Sequence, residues 1–258
     1  MNSRSIYVAA RSRNDQNPVW ATVGKLSKES SVYEFRYTAG AHKLPGVAPF
    51  PGLTDLEKVY QMEDIFPIFK NRLLSERRPE YKKWLSWGGF DDDAVPDAIT
   101  VLSTLGSRRT ADSLELFTGP LKQPDGNCYS QFFLHGVRHY VTPEILERLK
   151  VGERLIIRDE DDNPHDSLAV AVDNNEQQCL GYVPKFFTND IRHLSENCPD
   201  QLEVTVKRAN VGAPSHYQIL CQLNACWPEG FAPCTGGDFE LITPDISGGN
   251  APREKEAL

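Results

Sequence analysis

Two apolar runs, RLIIR from Arg154 and SLAVAVD from Ser167, stand eight residues apart across the segment DEDDNPHD. Short runs rich in β-branched residues and bounded by turn residues read as strands. Residues 159–166 must therefore connect two strands, and Asn163-Pro164 supplies the turn, since both residue types favour one. A turn needs polar residues, but it does not need five acids beside one histidine. The segment is either a solvated connection or the rim of a binding site.

The rest of the second half follows the same pattern. SQFFLHGVRHY, QCLGYVP, LEVTVKRA and YQILCQLNA are strands. TPEILERLKVG is a short helix, with Thr142 as its N-cap, Pro143 at its first position and acids in its first turn. A second helix runs from about Lys185 to Leu194. Six short strands with two small helices predict a compact, partly open barrel of the OB type over residues 128–234. From Thr235 to the end, Gly, Pro and charged residues leave little to bury, and residues 235–258 read as a disordered tail.

The first half is built differently. ATVGKL and VYEFRYT alternate with period two, placing Tyr33, Phe35 and Tyr37 on one face. After a loop rich in Gly and Pro come three helical segments. The first holds Ile65, Phe66, Phe69, Leu73 and Leu74 at helical spacing, with Pro67 at its start. RPEYKKWLSW and VPDAITVLSTLG follow, the last ended by Gly106. Residues 1–120 are thus an α+β module, joined to the barrel by GPLKQPDGN at 119–127, a segment dense in turn formers.

Charge separates the halves. Residues 1–120 carry 16 Lys and Arg against 15 Asp and Glu, whereas residues 121–235 carry 10 against 16, and the whole chain has a net charge of −8. Non-specific duplex binding draws most of its affinity from phosphate neutralisation, so an acidic chain is poorly suited to it. A nucleic-acid site here must be local and touch few phosphates. No apolar stretch is long enough to span a membrane, and the N-terminal segment lacks a signal-peptide core, which points to the cytoplasm. The six cysteines include no Cys-x-x-Cys. In a reducing compartment they read as mostly buried thiols, and the spacing of Cys221, Cys226 and Cys234 fits no common zinc signature. No cofactor or metal is expected.

Three blocks in the second half resemble the HIRAN family: HGVRHY, then LKVGERLIIRDEDDNPHDSLAVAV, then LGYVPKFF. The resemblance implies a small barrel related to the OB type that binds single-stranded DNA and captures its free 3′-hydroxyl end. Such domains occur fused to remodelling helicases or as free-standing prokaryotic modules. The first half, over residues 5–118, resembles the N-terminal subdomain of HipA-type toxin kinases through VGKL, YEFRYT, IFPIFKNRLLSERRPEY and LSTLGSRRTADSLEL. No Gly-rich phosphate loop, catalytic Asp-x-x-x-x-Asn loop or metal-binding Asp motif follows it, so no kinase activity is expected. A nuclease or phosphatase role ranks last, for want of a paired carboxylate or His cluster, and the chain is expected not to be an enzyme.

A pocket for a 3′-terminal nucleotide needs an acceptor for the hydroxyl, a flat side chain for the base and cations for the last phosphates. Asp166 supplies the acceptor, with His165 beside it. Arg138, His139 and Tyr140 come from one strand, and Tyr182 and Lys185 lie where a helix begins. By the family match Arg138, His165, Asp166, Lys185 and Tyr217 correspond to DNA-contacting residues. His139 stands where the best-known members carry tyrosine, although histidine also stacks on bases. The alternative for each is structural: Asn-Pro-His-Asp as a tight turn, Tyr182 as core, Arg138 as a partner for Asp166. Arg77, Arg78, Lys82 and Lys83 read as a solvated helix face, Arg108 and Arg109 as a weak phosphate site or a surface pair, and the acids of FDDDA as helix-capping residues. The resulting expectation is a non-catalytic adaptor for single-stranded DNA or its 3′ end. A protein partner, a HipA-type kinase or a helicase among the candidates, would engage the first module, in toxin–antitoxin control, DNA repair or phage defence. The competing expectation is an antitoxin-like interaction module that restrains a HipA-type kinase without binding DNA.

Overall fold

Period-two alternation does for residues 4–37 what it must in a half-buried sheet: one face goes inward. In the computed structural model, which describes residues 4–12, 19–91, 93–106 and 113–243, three strands open the chain. They are β1 (Arg4–Arg11), β2 (Trp20–Glu29) and β3 (Val32–Tyr37). With β4 (Tyr60–Met62) and β5 (Leu114–Phe117) they form an antiparallel sheet in the order β4-β3-β2-β1-β5. Tyr33, Phe35 and Tyr37 are all buried, as expected. Phe35 meets Tyr37 edge-on at 4.9 Å and Phe69 at 5.5 Å. The buried Tyr37 hydroxyl is satisfied twice, donating to the Leu53 carbonyl and accepting from the Phe50 N–H.

The helices of this half are short: α1 (Pro67–Lys70), α2 (Tyr81–Trp87) and α3 (Ala98–Leu105). Pro67 begins α1 and Gly106 ends α3, as the sequence predicts. The cap of α3 is Asp97, which accepts from the Ile99 and Thr100 N–H groups. Asp91 and Asp93 of the acid run are not the capping residues, and Asp92 lies outside the described residues. Arg77, Arg78, Lys82 and Lys83 are exposed, whereas Arg108 and Arg109 fall outside the described residues.

The second sheet holds β6 (Leu121–Lys122), β7 (Cys128–Phe133), β8 (Arg154–Glu160), β9 (Ala169–Asp173), β10 (Cys179–Tyr182), β11 (Glu203–Ala209) and β12 (Ile219–Ala225). Their order is β10-β9-β8-β11-β12-β7-β6, with every pair antiparallel. Just beyond β7, His135 and Tyr182 exchange both backbone hydrogen bonds, at 2.8 and 2.9 Å. That bridge ties β10 back to the far side of the sheet, giving a small barrel-like fold. It requires Gly181: φ is 150°, and a Cβ there would lie 2.5 Å from the His135 carbonyl oxygen. Helix α4 (Pro143–Arg148) has the expected Thr142 cap, and α5 (Thr188–Asn197) follows a 3₁₀ turn at Lys185–Phe187.

Three features depart from the sequence reading. The stretch 119–127 is no free linker, because Gly119 packs against Cys234 Sγ and Leu121–Lys122 pair with β7 as a hairpin. Residues 235–243, expected in the disordered tail, lie along the first sheet. Ala39 N–H donates to the Glu240 carbonyl, Ile242 N–H to the Tyr37 carbonyl, and Asp238 pairs with Lys43. The remainder of that tail, from residue 244, lies outside the described residues. Finally, Cys198 and Cys226 form a disulfide rather than two thiols, while Cys128, Cys221 and Cys234 are buried. No group of three or more metal-ligating side chains occurs among the described residues. Nor is any helix there long and apolar enough to cross a membrane.

Apolar packing crosses the boundary between the halves. Phe117 stacks on Phe186 with ring centroids 4.0 Å apart. Trp84, Leu85, Val101 and Leu105 share one cluster with Phe133, Tyr217 and Leu220.

Candidate nucleic-acid interface

The barrel closure gathers most of the expected site residues. Gly136, with φ of 75°, turns the chain out of β7 into a short 3₁₀ turn. Arg138, His139 and Tyr140 are thereby left exposed in a row. Across the bridge, the Tyr140 hydroxyl donates to that of Tyr182 at 3.4 Å, and Tyr182 donates to Glu160 Oε2 at 2.9 Å. Burial first, then these bonds, hold the Tyr182 phenol well above its usual pKa, so it remains a neutral donor. Tyr182 is half-buried rather than core.

The acid-rich connection proves to be highly organised. Asn163 Oδ1 accepts from the N–H groups of His165 and Asp166, at 3.0 and 3.2 Å, closing a local Asx turn. Its amide donates to Glu160 Oε2 at 2.9 Å. Glu160 also receives Arg158 at 2.8 Å. The Asn163 bond above all, with Arg158 and Tyr182 after it, holds the Glu160 carboxyl below the usual range. Asp166 accepts from the Leu168 N–H through Oδ1 and pairs with Lys185 Nζ at 3.2 Å through Oδ2. Thus Lys185, not Arg138, is the partner of Asp166. Lys185 stays exposed with ammonium protons to spare, and each Asp166 oxygen keeps a lone pair. His165 is exposed. The outer acids are held by one arginine, since Arg192 pairs with Asp161 at 2.8 Å and with Asp159 at 3.7 Å.

Tyr217 stands apart from this group. It is 8% exposed, its ring packs on Trp87 and Phe133, and its hydroxyl donates to the Leu105 carbonyl at 2.7 Å. In this structure it fastens the barrel to α3.

Beside Arg138 and His139 opens a cleft of about 450 Å³ between the two halves. Its first-half wall includes Arg11 and Trp20, which face each other as a cross-strand pair of β1 and β2. Sequence reasoning missed both residues, and nothing local marks either one. Glu115 also lines the cleft, bonded to His135 Nε2 at 2.9 Å.

Comparison with known proteins places the second half. Residues 128–225 match the family model of the HIRAN domain, and this segment of the chain is a HIRAN domain, which suggests DNA binding. Two solved structures are similar to the chain. The HIRAN domain of human HLTF is 16% identical, over 40% of this chain and 81% of that one, with a TM-score of 0.31. A Lactobacillus plantarum protein is 19% identical, over 39% of this chain and 97% of that one, with a TM-score of 0.32. No curated protein matches the chain. The family match lies wholly in the second half, and no comparison reproduces the likeness of residues 5–118 to the HipA subdomain.

Proposed function

We propose that this protein binds single-stranded DNA without catalysis, through its HIRAN domain, and holds the strand by its 3′-hydroxyl end. The observation that carries this reading is the juxtaposition at the barrel closure. An exposed Arg138–His139–Tyr140 row lies on one side of the His135–Tyr182 bridge, and the Asp166–Lys185 pair follows on the other. Asp166 provides an acceptor whose position is fixed by the Asn163 turn and by Lys185. The Lys185 ammonium and the Arg138 guanidinium provide cations for the last phosphates, and Tyr140 and His139 provide faces for bases. A protein partner for the first module, such as a HipA-type kinase or a helicase, remains a proposal from sequence likeness alone.

A charge-assisted hydrogen bond from a terminal hydroxyl is worth about 1.5–3 kcal/mol, or roughly ten- to 150-fold in affinity. Asp166→Ala should weaken binding of 3′-hydroxyl single strands by that factor, and leave 3′-phosphate strands nearly unchanged. Lys185→Ala and Arg138→Ala should weaken both and flatten the salt dependence, because a cation reads phosphate rather than the end. Titrations against matched oligonucleotides at two salt concentrations decide the matter. Equal wild-type affinity for free and blocked ends would refute end capture.

A further inference from the structure

The cleft between the halves carries a charge pattern at odds with the rest of the chain. In a protein with 36 acids and 28 Lys and Arg, two arginines and three of the six histidines line this one cavity. Its carboxylate, Glu115, is already bonded to His135. Neither arginine has a carboxylate partner among the described residues. Arg138 donates through Nε to His139 Nε2 at 3.0 Å. Arg11 Nε is shielded from water and has no acceptor among the described residues. A shielded guanidinium N–H without a partner is costly, and an anion is the natural acceptor to satisfy it.

The same cleft has aromatic walls. Trp20 stands opposite Arg11 in the β1–β2 register, half-buried, and its indole N–H donates to no group among the described residues. Its ring lies 6.0 Å from that of His135, and Phe186 approaches His135 from another side at 6.2 Å. Trp20 and Phe186 also border a second cavity, of about 280 Å³, whose lining includes Lys185. They are therefore the shared wall between the Lys185 end of the HIRAN site and the cleft that Arg11 and Arg138 line. Cations beside aromatic faces are what a single strand requires: a phosphate for each guanidinium and a base for each ring.

We propose that the first module completes the single-strand site. Arg11 binds a phosphate inboard of the terminal nucleotide, and Trp20 stacks on the base attached to it. The HIRAN domain holds the end, and Arg11 and Trp20, a cross-strand pair of β1 and β2, read the strand behind it. This rests on the end-binding reading above and gives the first half a role in nucleic-acid binding.

The test compares wild type with Arg11→Gln, Arg11→Lys, Trp20→Ala and Trp20→Phe. The probes are short 5′-labelled single strands with 3′-hydroxyl or 3′-phosphate ends, and a deoxynucleoside monophosphate. Arg11→Gln should weaken binding of the strands about tenfold, lower the salt slope by about 0.7, and be largely rescued by Arg11→Lys. Trp20→Ala should weaken binding by about tenfold, with Trp20→Phe in between. Both should retain the wild-type preference for a free 3′ end, and both should bind the monophosphate as wild type does. As a check that needs no weakened variant, strand binding should quench tryptophan emission in wild type and not in Trp20→Phe. If wild type binds no strand, the end-binding reading falls and this one with it. If wild type selects free ends while all four variants bind strands equally well and emission is unquenched, only the first module's part is overturned. An equal loss of monophosphate binding would also overturn it, because that would place Arg11 and Trp20 at the terminal nucleotide.

Discussion

In the connection from Asp159 to Asp166, four of five acids have a named cation: Arg192 for Asp159 and Asp161, Arg158 for Glu160, and Lys185 for Asp166. Across the barrel closure, in the cleft of Arg11 and Arg138, neither arginine has a carboxylate partner among the described residues. The sequence draws the eye to the first region and, in the second, to Arg138 and His139 but not to Arg11 or Trp20. Physically the order is reversed. A charge cluster whose members satisfy one another is self-contained, and most of it serves to shape the turn that presents Asp166. A cluster whose cations have no carboxylate, and in which the Arg11 Nε has no acceptor among the described residues, is incomplete, and on the proposal above that incompleteness marks a ligand site.

Gly181 is where the two regions meet, so changing it should produce the largest effect. A side chain there would collide with the His135 carbonyl oxygen and strain a φ of 150°. Gly181→Ala should cost about 3 kcal/mol in urea or thermal unfolding and should impair strand binding at both the end pocket and the cleft. Unchanged stability would mean that the bridge does not hold the barrel shut, and the two regions would then have to be treated as independent.

What was legible in the sequence was local. Thr142 with Pro143, Pro67, Gly106 and the Asn163 turn act through partners a few residues away, and all adopt the expected roles. Asp166 and Lys185, singled out through motif likeness in two separate blocks, do come together as an ion pair. The rest depends on contacts distant in the chain. The Tyr217 hydroxyl finds Leu105, 112 positions earlier, and no pattern around GAPSHY could announce it. Arg11 and Trp20 become neighbours only because β1 pairs with β2. Even β1 was missed, although Ile6, Val8 and Ala10 alternate inward, because small and polar residues dilute the signal. The free linker failed for a related reason: turn residues at 119–127 mark a hairpin as readily as an exposed joint.

A smaller effect sharpens the view that the acidic loop is structural. Glu160→Gln removes the charge that gathers Arg158, Asn163 and Tyr182, and should cost about 1–2 kcal/mol at neutral pH. The sign with pH is fixed by the depressed carboxyl. Folding favours the ionised form, so the contribution is present above the usual value of 4.5 and is lost as pH falls below it. Unfolding curves of wild type and variant should therefore converge in acid. A gap that persists unchanged at low pH would mean that Glu160 acts by packing and not by charge.

The smallest expected effect lies on the outer rim. The Asp161 side chain is 77% exposed, and the arginine it meets keeps its other partners, Asp159 and the Leu168 and Ala169 carbonyls. Exposed pairs of this kind contribute about 0–1 kcal/mol, so Asp161→Asn should unfold within about half a kcal/mol of wild type. Its effect on single-strand binding separates two roles for the rim. If paired acids are neutral to an incoming strand, affinity at physiological salt should change by less than about twofold, since screening leaves little of one exposed charge beyond a Debye length. A marked gain would show that the rim repels phosphates despite Arg192. Selection of an end over a continuous strand would then owe as much to repulsion by Asp161 as to capture by Asp166.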